Sequence, residues 1–254
     1  MKRILIILLL LFACNTERKK IVIGVDEYFP PMTFKENGEL KGIDIDLAKA
    51  VFKKLGYEVE FKTVVWEKII EELTNKNIDI IWSGFSITEE RKAIIDFTIP
   101  YIETKQVIVT KYNSSIEKKE DLSSKIVGVQ KGSTGEHSLK KDSILTKKIK
   151  KIVEYETVEK EIKDLEDGKL DAIVIDEIAA KYFLAGKAGN FKILNEHFGY
   201  EIFAIGLRKE DSTLKEKLNK ALEKIMKDGT EEKIFKKWLG ENRILSDYLK
   251  RKKH

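Results

Sequence analysis

The sequence predicts an α/β fold on three observations: short apolar strands alternate with amphipathic helices, one helix–turn–strand unit occurs twice, and polar residues follow the strands at their carboxyl ends. Alternation of this kind is the pattern of helices covering a mostly parallel sheet. The chain has 254 residues, 42% hydrophobic and 36% charged, which gives enough apolar surface for one large or two modest domains. Its formal charge of +5 arises from 48 basic and 43 acidic side chains interspersed along most of the chain, so composition makes no case for a nucleic-acid partner. One cysteine and three histidines exclude a disulfide framework within the chain and argue against a zinc site built from Cys/His clusters.

In chain order, Lys2 and Arg3 precede an apolar run over 4–13, shorter than the ~20 residues of a transmembrane helix, and read as an export signal. Leu11-Phe12-Ala13-Cys14 resembles the lipobox of bacterial lipoproteins, a family in which the cysteine is acylated and becomes the first residue of the mature protein. Loss of 1–13 removes Lys2 and Arg3 and no acid, taking the formal charge from +5 to +3. Acyl chains would then hold the protein on the membrane surface with its body in water.

The mature chain begins with a buried-type strand over 21–25. A helix over 44–56 carries Leu47, Val51, Phe52 and Leu55 on one stripe and stops at Gly56. A strand is expected over 58–63, a helix over 66–75 and a buried strand over 78–82. Further on come strands at 106–110 and 126–129, a helix over 158–167, a strand at 172–175, a helix after Asp176 and a strand over 201–207. The tail holds an amphipathic helix with Leu214, Leu218, Leu222 and Ile225, then a shorter one ending near Gly240; the basic end 250–254 reads as a solvated tail.

The repeated unit aligns 66–81 on 158–173 without gaps, an offset of 92 residues. Glu67/Glu159, Lys68/Lys160, Ile70/Ile162, Leu73/Leu165, Asp79/Asp171 and Ile81/Ile173 are identical. One helix–turn–strand unit per lobe is the reading; chance similarity in a chain rich in Lys, Glu and Ile is the alternative.

Ligands of open α/β sheets bind outside the carboxyl ends of the strands. Asp26, Tyr28 and Phe29 follow the first strand. Ser83, Gly84 and Ser86 follow the strand at 78–82, Gln130, Ser133 and Thr134 that at 126–129, and Asp176 that at 172–175. In Ser86-Ile87-Thr88-Glu89-Glu90-Arg91, Thr88 is a helix N-cap and Arg91 lies in the first turn. Free N–H groups and a guanidinium would converge there on a carboxylate, although Arg91 alone could equally be a solvated partner of Glu89 or Glu90. Gly132-Ser133-Thr134-Gly135 is a second anion cradle at a helix start. Asp176 ends a buried strand, so it needs a cationic partner, which a ligand ammonium would supply, or it caps the helix that follows. Asp26 carries the same ambiguity. Phe29 and Trp66 read as core or as aromatic walls of a ligand cleft.

Ile23-Gly24-Val25-Asp26, Gly42-Ile43-Asp44-Ile45-Asp46, Ser86 to Arg91, Phe97-Thr98-Ile99-Pro100-Tyr101, Gly128 to Thr134 and Leu170 to Asp176 together resemble the extracellular polar amino-acid-binding proteins of ABC importers, over about 21–239. The resemblance implies a two-lobed, periplasmic-binding-protein-like α/β fold of type II, with two hinge strands and a ligand cleft between the lobes. It places one lobe at 21–108 plus 204–254, the other at 109–203, and a linker at 14–20 after the 1–13 leader. By motif position, Arg91 would bind the α-carboxylate with help from the Ser86 and Ser133-Thr134 segments, and Asp176 with the Gly84 carbonyl would take the α-ammonium. Phe29 and Trp66 would flank the side chain, Asp26 would sit near its polar end, and Ser83 would be a further ligand-binding residue. Trp82 departs from the family pattern and either alters that wall or fills the core. The expected partners are a free L-amino acid and a membrane permease, with anchoring at Cys14, no cofactor, no metal, no catalytic residue and a monomeric protein. A sensory module for a receptor and a periplasmic dehydratase of cyclohexadienyl type are the alternatives.

Overall fold

The computed structural model describes residues 20–187 and 189–240; the leader, Cys14 and the basic end lie outside the described residues. The first strand is β1 (Lys20–Val25), and its Ile21, Ile23 and Val25 are fully buried. A small antiparallel sheet follows, made of β2 (Tyr28–Phe29), β3 (Thr33–Glu36) and β4 (Glu39–Lys41). Next come α1 (Ile43–Leu55), closed by Gly56 in the left-handed conformation, and β5 (Glu58–Thr63). The helix expected over 66–75 starts as a 3₁₀ turn and continues as α2 (Ile69–Thr74). Only β6 (Ile80–Ile81) forms within the strand expected over 78–82, because Asp79 and Trp82 continue the bonding to β1 singly, through Val22 O and Gly24 O. Then α3 (Glu89–Ile94) and β7 (Asp96–Phe97) complete the first half.

The chain crosses over in β8 (Ile102–Lys111) to β9 (Ile126–Gln130), α4 (Thr134–Lys141), α5 (Ser143–Thr146), β10 (Lys151–Tyr155), α6 (Val158–Glu166), β11 (Ala172–Asp176) and α7 (Glu177–Leu184). It returns through β12 (Phe191–Phe203) to β13 (Gly206–Leu207), α8 (Ser212–Lys227) and α9 (Thr230–Leu239). The single strand expected over 201–207 is thus the end of one strand and the start of another, parted at Ala204-Ile205, where the chain passes from one sheet to the other.

Two five-stranded sheets result, ordered β5-β1-β6-β13-β7 and β10-β9-β11-β8-β12. They are the same sheet built twice. In each, three strands run parallel, and the fourth and fifth are antiparallel to their neighbours. The sheets are therefore mixed rather than mostly parallel. The repeated sequence unit occupies equivalent places, α2 then β6 beside β1, and α6 then β11 beside β9. The long pair β8 and β12 carries both crossings between the halves.

The amphipathic tail folds as expected: Leu218, Leu222 and Ile225 of α8 are buried and Leu214 partly so. α8 and α9 both pack on α1. Burial of each such aliphatic side chain contributes roughly 1.5–3 kcal/mol. Trp82 is core, 1% exposed, with its ring against Phe52 and Tyr101.

Candidate functional site

The carboxyl ends of β1, β6, β9 and β11 meet at one cavity, with about 280 Å³ of space counted together with its opening to solvent. Asp26, Phe29, Trp66, Gly84 and Ser86 line it from the first half, and Gln130, Ser133, Thr134 and Asp176 from the second. Eight of the ten residues expected from sequence thus share one enclosure. Ser83 and Arg91 stand behind its wall.

On the first side, Asp26 Oδ1 accepts the Tyr28 N–H at 2.9 Å and Oδ2 accepts the Gln130 amide N–H at 3.0 Å, a bond between the two halves. Burial pushes the Asp26 carboxyl up to about 6, against the pull of those two bonds. Ser83 is fully buried and serves the wall, accepting the Asp26 N–H at 3.0 Å and sharing a hydrogen bond with the Thr33 hydroxyl. Gly84 has φ +53°, and a Cβ there would lie 2.4 Å from the Phe29 ring, so glycine is required twice over. Its N–H donates to Asp44 Oδ2 at 2.6 Å. Asp44 is 1% exposed, and burial raises its carboxyl to about 7.

Arg91 is 9% exposed, which removes the solvated alternative. The Thr88 hydroxyl caps α3 by accepting the Arg91 N–H at 3.2 Å, fixing the first turn. The guanidinium lies 4.2 Å from the Phe85 ring centroid and 5.7 Å from that of Trp66. Nη1 donates to Ser86 O at 2.9 Å and Nη2 to Gly132 O at 3.3 Å, one carbonyl from each half. Five N–H donors in a planar fork leave capacity for a carboxylate as well. Burial lowers the guanidinium to about 10, opposed by the charges of Glu201 and Asp176.

On the second side, Ser133 caps α4 by accepting the Glu136 N–H at 3.1 Å, and the Gly132 N–H of the expected anion cradle is taken by Glu136 Oε2 at 2.6 Å. Asp176 makes no side-chain cap on α7, so the capping alternative is not realised. Its Oδ1 is buried without a hydrogen-bond partner among the described residues. Burial and the neighbouring Glu201 carboxylate push the Asp176 acid well above its ordinary range, only partly offset by Gln106 and Arg91. Closure of the cavity is completed at its rim by the Trp66 indole N–H to Gly132 O at 3.2 Å, by the exposed Lys131–Glu67 ion pair and by the exposed contact of His137 with Glu90.

Glu201, Gln106, Asp44 and Gln130 belong to this site although sequence reasoning gave them no role in binding. Gln130 was visible at a strand end. Glu201 and Gln106 sit inside long strands with no motif around them. Asp44 looks like an ordinary first-turn acid of α1. Among the described residues there is no cluster of His, Cys, Asp and Glu able to hold a metal ion, and no helix is long and apolar enough to cross a membrane.

Twin α/β sheets joined by paired crossing strands, with a cavity between them that is bordered by groups of both charge signs, define a two-lobed solute-binding protein. The profile of the bacterial extracellular solute-binding proteins, family 3, matches residues 21–241, and the chain belongs to that family. It is 34% identical over 230 residues to the arginine-binding extracellular protein of Bacillus subtilis, covering 87% of this chain and 86% of that one. It is 37% identical over 229 residues to the histidine-binding periplasmic protein of Escherichia coli, covering 87% of each. An ABC uptake transporter substrate-binding protein from Streptococcus pneumoniae, with bound histidine, superposes with a TM-score of 0.85 at 36% identity, over 89% of this chain and 94% of that one. An ancestral arginine-binding protein bound to glutamine superposes with a TM-score of 0.81 at 44% identity, over 88% and 99%.

Proposed function

We propose that this protein captures a free L-amino acid between its lobes and presents it, unchanged, to an ABC importer permease. The observation that carries the reading is Asp176 Oδ1, buried and unpartnered at the wall of a cavity behind which the Arg91 guanidinium is held by the Ser86 and Gly132 carbonyls. A zwitterion meets both needs: its carboxylate completes the guanidinium fork and its ammonium meets Asp176 beside the Gly84 carbonyl. Phe29 and Trp66 flank the side chain, Asp26 meets its polar end, and Ser83 stiffens the wall behind Asp26.

Charge balance narrows the side chain. Four buried acids, Asp26, Asp44, Asp176 and Glu201, stand about the site with one Arg91, and burial raises each of them toward its neutral form. A cationic side chain beside Asp26 favours its ionised form and pairs with it, so polar and above all cationic amino acids are favoured. The named ligands of the relatives, arginine and histidine among them, support the same class.

The closing bodies are the two sheets with the helices packed on them, moving about β8 and β12 where the chain crosses between them. A ligand drives that closure only through its higher affinity for the closed state. Micromolar binding corresponds to about 8 kcal/mol, within reach of two charge-assisted clusters and an apolar sandwich. Lipid attachment at Cys14 after removal of 1–13 keeps the protein at the membrane, where it acts as a monomer. Two measurements test the reading. Thermal shift with the twenty amino acids, ornithine and citrulline should single out a polar or cationic one, and no shift from any of them defeats it. Cys14→Ser should abolish fatty-acid labelling and release the protein from membranes; retained labelling defeats the anchor.

A further inference from the structure

Within the cavity wall one carboxylate oxygen serves both lobes. Glu201 Oε2 accepts the Ser86 hydroxyl at 2.6 Å and the Thr134 hydroxyl at 2.9 Å. Ser86 belongs to the segment after β6, and Thr134 opens α4 in the other lobe, so both hydroxyls reach one atom only while the lobes are together. Glu201 itself stands on β12, a crossing strand, opposite Thr104 of β8. The Thr134 hydroxyl oxygen receives a further N–H from Gln106 at 3.2 Å, and the Ser86 carbonyl holds the Arg91 guanidinium. A chain of bonds thus runs from Arg91 through Ser86, Glu201 and Thr134 to Gln106. Glu201 is absent from the lining of the cavity, so it acts through Ser86 and Thr134, which do line it.

We propose that Glu201 is a positioning residue for closure: a crossing-strand acid that ties the two lobes' hydroxyls and retards reopening once a ligand is enclosed. The proposal rests on the amino-acid-binding reading above. A bond made only in the closed state slows release and leaves the encounter step alone. Each hydroxyl has a single proton, and here both are given to Glu201, so neither side chain has a proton left to donate to the guest's carboxylate, which falls to Arg91.

The test compares Glu201→Ala and Glu201→Gln with the wild type by stopped-flow tryptophan fluorescence, using L-arginine, L-histidine and L-glutamine as probes. Glu201→Ala should raise the dissociation rate about tenfold with the association rate within twofold. Glu201→Gln, whose amide oxygen can accept the same two hydroxyls, should return to within about threefold of wild type. An unchanged dissociation rate in Glu201→Ala, or a Glu201→Gln as impaired as Glu201→Ala, overturns the proposal. If none of the probes binds the wild type, the amino-acid reading is what fails, and X-ray scattering without ligand still decides this one. A larger radius of gyration for Glu201→Ala than for wild type supports it, and identical radii overturn it.

Discussion

Gln130 of the second lobe donates its side-chain amide to Asp26 of the first at 3.0 Å, so the residue expected to read the guest's polar end already has a partner from across the cleft. A donor-bearing side chain must displace or share that bond. Arginine, lysine and ornithine carry the charge to do so, and a neutral amide offers only an exchange of like for like.

That arrangement gives selectivity a pH dependence. Burial raises the Asp26 acid to about 6, so it is largely ionised at pH 7.5 and largely protonated at pH 5. A cationic side chain needs the ionised form. The ratio of arginine to glutamine affinity should therefore fall about tenfold between pH 7.5 and pH 5, measured by titration calorimetry, and should be flat with pH in Asp26→Asn.

Asp176→Asn separates binding from folding. The wild-type carboxylate bears a desolvation cost with one oxygen unpaired, and the substitution removes the charge that incurs it. Amino-acid affinity should fall at least a hundredfold while the ligand-free melting temperature stays level or rises by a few degrees in calorimetry. Arg91→Ala should also lose binding, but with a lower melting temperature, because its guanidinium stacks on Phe85 and joins the Ser86 and Gly132 carbonyls.

Gly84→Ala should damage the pocket through Phe29. The added methyl would meet the Phe29 ring at 2.4 Å in a backbone with φ +53°, so the ring, which lines the cavity, must shift. A loss of about 1–2 kcal/mol in stability and a tenfold or larger loss of affinity are expected, by denaturant melts and calorimetry.

Glu161 offers a test away from the site. It is fully buried on α6 with both carboxylate oxygens unpartnered among the described residues, and burial pushes its acid well above the usual range. An acid raised on folding binds its proton more tightly in the native state, so its ionisation costs stability as pH rises from the ordinary carboxylate value through the raised one. Glu161→Met should be more stable than wild type at pH 8 by about 1–3 kcal/mol, with a smaller gain at pH 5, in urea melts.

Much of this was legible locally. The offset of 92 residues marked the duplicated sheet because a helix and the strand after it carry their own periodicity wherever they occur. Thr88 and Arg91 were legible because a cap and a first turn are defined within four residues. What escaped depends on partners far along the chain. The sheet formed by β2, β3 and β4 has strands of two to four residues, too short for an alternating pattern to register. Glu201 meets Ser86 and Thr134 across 115 and 67 residues, and Asp44 meets Gly84 across 40. Ser83 looked like a ligand contact by place, yet its hydroxyl is spent holding Asp26 and Thr33.

The most direct measurement is calorimetric titration of the ligand-free protein with L-arginine, L-lysine, L-histidine and L-glutamine, alongside Arg91→Ala and Asp176→Asn. At least one should bind the wild type with a dissociation constant near or below micromolar, cationic guests ahead, and neither variant should bind. Equal affinity in wild type and both variants, or no heat from any of the four, would contradict the assignment of opposite charges to opposite ends of the guest.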